Sequence, residues 1–272
     1  MTSNTLKLWG CTATPSRTDE GNILSIFNYL VYKKTLIELM REKYLCPIVP
    51  HPVHSHIKVA KNEKLVSTSG NDFELNELSS VVNSAIRNKL IVSIYHNIIK
   101  SQQRNLTVIF ACDLDHCYTI YAWFLRYFEN PKAFERECED LSEENMNEIY
   151  EQNLKQQEQG PWNKGSQDFV ERVTEVGKHS KNSHSDSFFA DKEHSVVVIT
   201  GKTKKDVRNK ILEKSKEGKI RIIINCQVFT EGVDIPNIDS IMIARPTLSS
   251  LLYYQMIGRG LRISPSKVLI FL

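Results

Sequence analysis

No run of apolar residues in this 272-residue sequence approaches the roughly 18 that a membrane-crossing helix needs. Nor does any CxxC pair occur among its six cysteines, Cys11, Cys46, Cys112, Cys117, Cys138 and Cys226, so neither a zinc ribbon nor a redox dithiol is indicated. Scattered thiols of this kind fit a reduced, intracellular compartment. Charge of one sign is not in excess: the formal net charge is +3, too small for its sum to argue for a polyanionic partner. Met1 to Thr5 lacks the Arg-rich amphipathic character of a transit segment. That says little about location, because the chain reads as starting inside a longer protein.

What is present is an ordinary globular balance, 41% hydrophobic and 25% charged, enough for one large domain or two smaller ones. Leu6 to Cys11 is a short apolar run that predicts a buried strand ending at Thr12-Ala13-Thr14-Pro15. Lys33 to Lys43 has helical spacing, and Pro47, Pro50 and Pro52 impose extended chain to Ala60. Lys61 to Asn71 reads as a linker. Leu75 to Lys100 returns to helical spacing, Leu106 to Ala111 is a β-rich run, and His116 to Phe128 is an aromatic-rich helix. Asn130 to His194 breaks the pattern. Nine acidic and two basic residues between Glu135 and Glu158 mark a polar inserted excursion, read most simply as a solvated surface insert. Strands are then expected at 196–200, 220–225, 240–244 and 268–272, with helices at 204–216 and 251–257. Alternation of this kind predicts an α/β fold with a parallel sheet flanked by helices. The last strand ends with the chain, which suggests truncation there too.

The chemistry concentrates near the C-terminal end, in Gln255-Met-Ile-Gly258-Arg259-Gly260-Leu-Arg262. Two arginines three residues apart on one turn of helix can both face a polyanion. Guanidinium groups match phosphate oxygens, and positive charge at a γ-phosphate stabilises phosphoryl transfer. The bland alternative is a basic helix terminus, against which Gly258 and Gly260 argue: they weaken the helix with no structural benefit visible in the sequence. Some 20 residues upstream, Thr230-Glu231-Gly232-Val233-Asp234-Ile235-Pro236 offers a hydroxyl and free amides suited to a phosphate and a carboxylate suited to a sugar hydroxyl. From Lys202 to Arg221 nine basic residues stand against three acidic ones, the best candidate for an electrostatic footprint on nucleic acid.

These patterns resemble superfamily 2 helicases. Gln255 to Arg262 is similar to motif VI, Thr230 to Pro236 to motif V, and Thr12-Ala13-Thr14-Pro15 to motif III. Thr107 to Ala111, with Cys112 and the His116 helix, sits where motif IV belongs. Thr200-Gly201-Lys202-Thr203 with Arg208 resembles the strand-turn-helix between motifs IV and V, whose helix N-terminus is a ready anion site. Ile23 to Cys46, Asp72-Phe73, Phe110 to His116 and Ala244-Arg245-Pro246-Thr247 narrow the likeness to the XPB-like and type I restriction-like branch, and within it to fungal mitochondrial ATP-dependent DNA helicases. The resemblance implies a RecA-like C-terminal lobe over residues 61–272, with an insertion at about 130–194, preceded by the end of a first RecA-like lobe and a connection over 1–60. It implies that Arg259 and Arg262 reach the γ-phosphate of ATP, that Gly232 and Asp234 meet the nucleotide, and that Thr12, Thr14 and Gln255 couple lobe closure to DNA movement. Thr200, Gly201, Lys202 and Thr230 would track the phosphates of one strand. The expected partners are DNA and ATP, with no membrane, the expected state a monomer, and the expected location mitochondrial.

The departure from the family is large, because motif I, the Walker A loop, and motif II, the DExH box, are absent. Gly201-Lys202-Thr203 imitates the end of a Walker A loop, but its first glycine would fall at Val196, inside a strand. Asp113-Leu114-Asp115-His116 imitates a DExH box but follows motif III instead of preceding it. Cys46, His51, His54 and His56 have no familiar zinc spacing, and no metal site is expected. ATP and Mg²⁺ would belong to a complete two-lobe enzyme, with neither bound stably by this chain alone and no ATP hydrolysis without the phosphate cradle. Two other readings remain open at this level: a nucleic-acid docking module without enzymatic activity, and an RNA motor.

Overall fold

The computed structural model describes residues 8–12, 26–27, 29–53, 60–61, 64–70, 72–139, 196–228, 235–265 and 267–272. Its strands are β1 (Ile48–Pro50), β2 (Ala60–Lys61), β3 (Lys64–Leu65), β4 (Thr68–Ser69), β5 (Asp72–Phe73), β6 (Leu106–Phe110), β7 (Val196–Ile199), β8 (Ile222–Asn225), β9 (Ile238–Ile243) and β10 (Leu269–Phe271). Its helices are α1 (Leu36–Arg41), α2 (Leu75–Val82), α3 (Ala85–Ile94) continued by a π-helical segment (Tyr95–Lys100), α4 (Leu114–Glu129), α5 (Pro131–Glu139), α6 (Lys205–Lys216) and α7 (Ser250–Gly258).

Six strands form one sheet in the order β1-β10-β9-β6-β8-β7, and every pairing in it is parallel. The strands bury both faces, so they read as continuous apolar runs. Their residues alternate between two cores. Val196, Val198, Ile222, Ile224, Ile109 and Met242 meet α3, α4 and α5 on one face. Val197, Ile199, Ile223, Val108, Ile241 and Leu269 meet Ile211 of α6 and Met256 and Ile257 of α7 on the other. This is the RecA-like parallel sheet flanked by helices.

Local chemistry sets the element ends. Thr35 and Glu38 form a reciprocal capping box at the start of α1. The helical run 75–100 is two helices, because Asn83 ends α2 and Ser84 caps α3, accepting from the Arg87 amide. The run 61–71 is more structured than a linker: β2 pairs antiparallel with β3, and β4 with β5. The start of the polar excursion folds too, as α5, with Phe134 buried beside Tyr127; residues 140–195 lie outside the described set. The strand expected at 6–11 is not formed over the described residues 8–12, which are irregular, with Trp9 83% exposed. An apolar run becomes a strand only beside a partner strand, and among the described residues none pairs with it.

From β6 the chain passes to β7 and β8 on one side, then to β9 and β10 on the other. In open parallel sheets, ligands usually bind outside the carboxyl ends of the strands where the order reverses in this way.

Candidate nucleotide and nucleic-acid surfaces

Helix α7 connects two adjacent parallel strands, β9 and β10, so it must run back from the carboxyl edge of the sheet to the amino edge. Ser249 caps its start by accepting from the Leu252 amide at 3.3 Å. Gln255 is half-buried on the helix, Arg259 is half-buried at its C-cap, and Arg262 is exposed just beyond. The arginine turn therefore sits at the amino edge, next to the entry into β1: the Cys46 amide donates to the Leu261 carbonyl at 3.0 Å.

The two glycines of this turn differ. Gly260 does have a structural reason, contrary to the sequence reading. A Cβ there would come within 2.5 Å of Leu269 Cδ1 and 2.8 Å of Ile241 Cδ1, so the bare backbone lets the turn lie directly on the sheet. Gly258 meets nothing within 4 Å.

The basic turn lies at the opposite edge, after β7. Thr200 is buried, and its hydroxyl is used inside the turn, accepting from the Lys202 amide at 3.2 Å. Its own amide donates to Thr203 Oγ1 at 2.9 Å. The turn presents Gly201 and Lys202 to solvent, both exposed. Arg208 reaches back from α6 to the Thr200 and Thr203 carbonyls, both at 3.4 Å. The N-cap of α6, Lys204, makes no side-chain capping bond, so the first-turn amides are left to solvent or an anion. The structure thus keeps the arginine turn and the basic turn apart, on opposite edges of one sheet.

Between them, at the carboxyl end of β6, the DExH imitation resolves into structure. Asp113 is the N-cap of α4, accepting from the His116 amide at 2.8 Å. His116 is fully buried. Its Nδ1 accepts the Cys112 amide at 3.3 Å, which leaves Nε2–H to donate to Asn88 Oδ1 at 3.0 Å. Asn88 in turn donates to Asn83 Oδ1 at 2.8 Å. Burial and the nearby Arg87 guanidinium push the His116 pKa down to about 3, so the ring is neutral at physiological pH.

At the same edge Asp72 holds the segment that leads into α7. It accepts from Arg245 Nη2 at 3.0 Å, Thr247 Oγ1 at 2.9 Å and the Leu248 amide at 2.9 Å. Thr247 Oγ1 also accepts the Ser249 amide at 3.1 Å. Both Asp72-Phe73 and Ala244 to Thr247 stood out in the sequence, but nothing in the sequence showed that they meet.

The remaining expected residues divide simply. Thr12 is exposed in irregular chain, while Thr14, Thr230, Gly232 and Asp234 lie outside the described residues, as do His54 and His56. Cys46 is buried, and its thiol donates to the Gly260 carbonyl at 3.4 Å. Among the described residues no three His, Cys, Asp or Glu side chains gather as a cation would need. The arginine turn, by contrast, offers cations at a chain terminus of a helix, the donor chemistry that a nucleotide's phosphates require.

Residues 168–264 match the helicase conserved C-terminal domain. Together with the sheet order, this match makes the chain similar to the C-terminal part of superfamily 2 helicases. Two relatives and one solved structure are similar to it. The chain is 26% identical over 260 residues to a Saccharomyces cerevisiae protein provisionally named ATP-dependent helicase IRC3, covering 95% of this chain and 27% of that protein. It is 32% identical over 105 residues to the DNA 3'-5' translocase XPB2 of Sulfurisphaera tokodaii, covering 36% of this chain and 24% of that one. In fold it matches a fragment of a type I restriction enzyme subunit, provisionally HsdR, from Vibrio vulnificus YJ016. The TM-score is 0.53 at 17% identity, over 96% of this chain and 38% of the other. The chain thus spans about a quarter of the length of the relatives it matches.

Proposed function

We propose that this chain is the C-terminal motor lobe of an ATP-dependent DNA helicase or translocase. It would supply an arginine finger to a nucleotide held by another lobe, and part of the groove that tracks DNA. The observation that carries this reading is the separation of its two cationic features. Arg259 and Arg262 end α7 at the amino edge of the sheet, and Gly201, Lys202 and the uncapped start of α6 stand at the carboxyl edge. A motor needs two such surfaces, one for the phosphates of ATP and one for the phosphates of a strand. The names of the relatives, an ATP-dependent helicase and a DNA translocase, support ATP and DNA as the ligands. The resemblance to fungal mitochondrial helicases supports a mitochondrial location.

In this reading Arg259 and Arg262 stabilise charge on the transferring phosphoryl group, and Asp234 holds the ribose. Thr12, Thr14 and Gln255 link lobe closure to strand movement. ATP and Mg²⁺ would bind in the two-lobe enzyme, and the metal would supply neutralisation of phosphate charge there. Residues 1–60 serve as the tail of the first lobe and the connection to residues 61–272.

The test is ATP hydrolysis with and without DNA. The 272-residue chain alone is expected to be inactive. The longer polypeptide that joins it to a phosphate-binding lobe should lose activity by about a thousandfold on Arg259→Ala. Hydrolysis by the chain alone that Arg259→Ala abolishes, or an unaffected longer enzyme, would overturn the proposal. DNA and RNA duplexes run side by side in the same assay decide between a DNA and an RNA motor.

A further inference from the structure

Three consecutive carbonyls leave the end of α7, those of Gly260, Leu261 and Arg262. Such groups lack intrahelical partners and must be satisfied from elsewhere. Each is taken by a group distant in sequence or beyond the turn. The Cys46 thiol donates to Gly260 at 3.4 Å, the Cys46 amide to Leu261 at 3.0 Å, and Lys267 Nζ to Arg262 at 2.8 Å. The Lys267 ammonium makes a second bond, to the Pro236 carbonyl at 3.0 Å. Pro236 closes the Thr230 to Pro236 run. One ammonium therefore joins the arginine turn to the loop that carries Asp234.

We infer that Lys267 is a positioning residue for the arginine turn, fixing Arg262 against the loop that ends at Pro236, with Cys46 holding the two carbonyls before it. The role rests on the reading above, in which Arg259 and Arg262 meet the nucleotide. Lys267 is half-buried, and desolvation draws its pKa below the usual lysine value. A partly buried ammonium costs more than an apolar side chain of the same length would. What offsets that cost is a geometry no apolar chain provides: two carbonyls from two loops held on one donor set. Asp239 lies near enough to favour its charge, and Arg262 near enough to oppose it. The clamp also explains why the turn keeps its place although Arg262 itself faces solvent.

The test uses Lys267→Met, which keeps length and removes the donor, and Lys267→Arg, which keeps the charge. On the 272-residue chain, amide hydrogen exchange should speed up in Lys267→Met at residues 259–263 and 235–238 together. The amides of β6 and β8 should stay protected, and Lys267→Arg should restore part of the effect. Unchanged exchange at either loop, or an even loss across the sheet, overturns the clamp. In the longer polypeptide with a phosphate-binding lobe, Lys267→Met should lower kcat for ATP hydrolysis on the order of 10- to 100-fold, with KM for DNA unchanged. If Arg259→Ala abolishes hydrolysis there and Lys267→Met does not change kcat, the positioning role is wrong. If Arg259→Ala itself has no effect, the reading of the arginine turn fails and the positioning role falls with it, whatever the exchange result.

Discussion

Asp72 Oδ2 and Arg245 Nη2 lie 3.0 Å apart although 173 positions separate them in the chain. The Arg245 side chain is 7% exposed and that of Asp72 21%, and two further donors from the α7 entry segment share the same carboxylate. Removing one partner of a nearly buried pair strands the other. Asp72→Ala should therefore cost about 2–4 kcal/mol in urea unfolding, and Asp72→Asn, which still accepts, should cost less. A change within about 0.5 kcal/mol for Asp72→Ala would show that the carboxylate is not a structural tie.

The glycines of the arginine turn make a paired prediction. Gly260→Ala forces a methyl against Leu269 and Ile241, both fully buried, and should destabilise by about 1–3 kcal/mol. Gly258→Ala meets open space at the last residue of α7 and should be neutral or stabilise by up to about 1 kcal/mol. Thermal melts of the two variants side by side give the answer. Equal shifts would contradict the close approach at Gly260.

His116 sets an acid limit on stability. Its folded pKa is about 3 against an ordinary 6.5. Between those values the unfolded chain binds a proton that the folded chain refuses. Stability is thus complete above pH 6.5 and falls as pH drops toward 3, by up to about 1.4 kcal/mol per pH unit. Urea midpoints at several pH values should fall less steeply in His116→Gln than in the parent chain. Parallel pH profiles would show that the ring protonates freely when folded.

The proposed binding of nucleic acid at the carboxyl edge predicts a salt signature. Lys202→Ala should weaken DNA binding evenly across sequences and lower the log–log salt slope by about 1, the loss of one phosphate contact. Arg262→Ala, at the other edge, should leave that slope unchanged. If Arg262→Ala lowers the slope and Lys202→Ala does not, the two edges have been assigned in reverse.

Residue order alone sets the kind of fold. Alternating apolar runs and helical stretches between 75 and 272 come out as the strands and helices of one parallel sheet, because strands buried on both faces must be apolar throughout. It also determined the arginine turn, whose residue types and spacing are local. Boundaries that depend on a single cap, such as Ser84 between α2 and α3, were hidden inside a continuous helical pattern. The hairpins at 60–73 were hidden in polar chain that looked like linker. Which residues meet is a matter of three-dimensional packing. Asp72 with Arg245, Cys46 with Gly260 and Lys267 with Pro236 are pairs whose partners lie from 31 to 214 positions apart, and residue spacing carries no signal for contacts made across crossovers. Packing decided as well that the arginines and the basic turn occupy opposite edges. That follows from each crossover helix running antiparallel to its strands, so residues at the two ends of such a helix face opposite ends of the sheet.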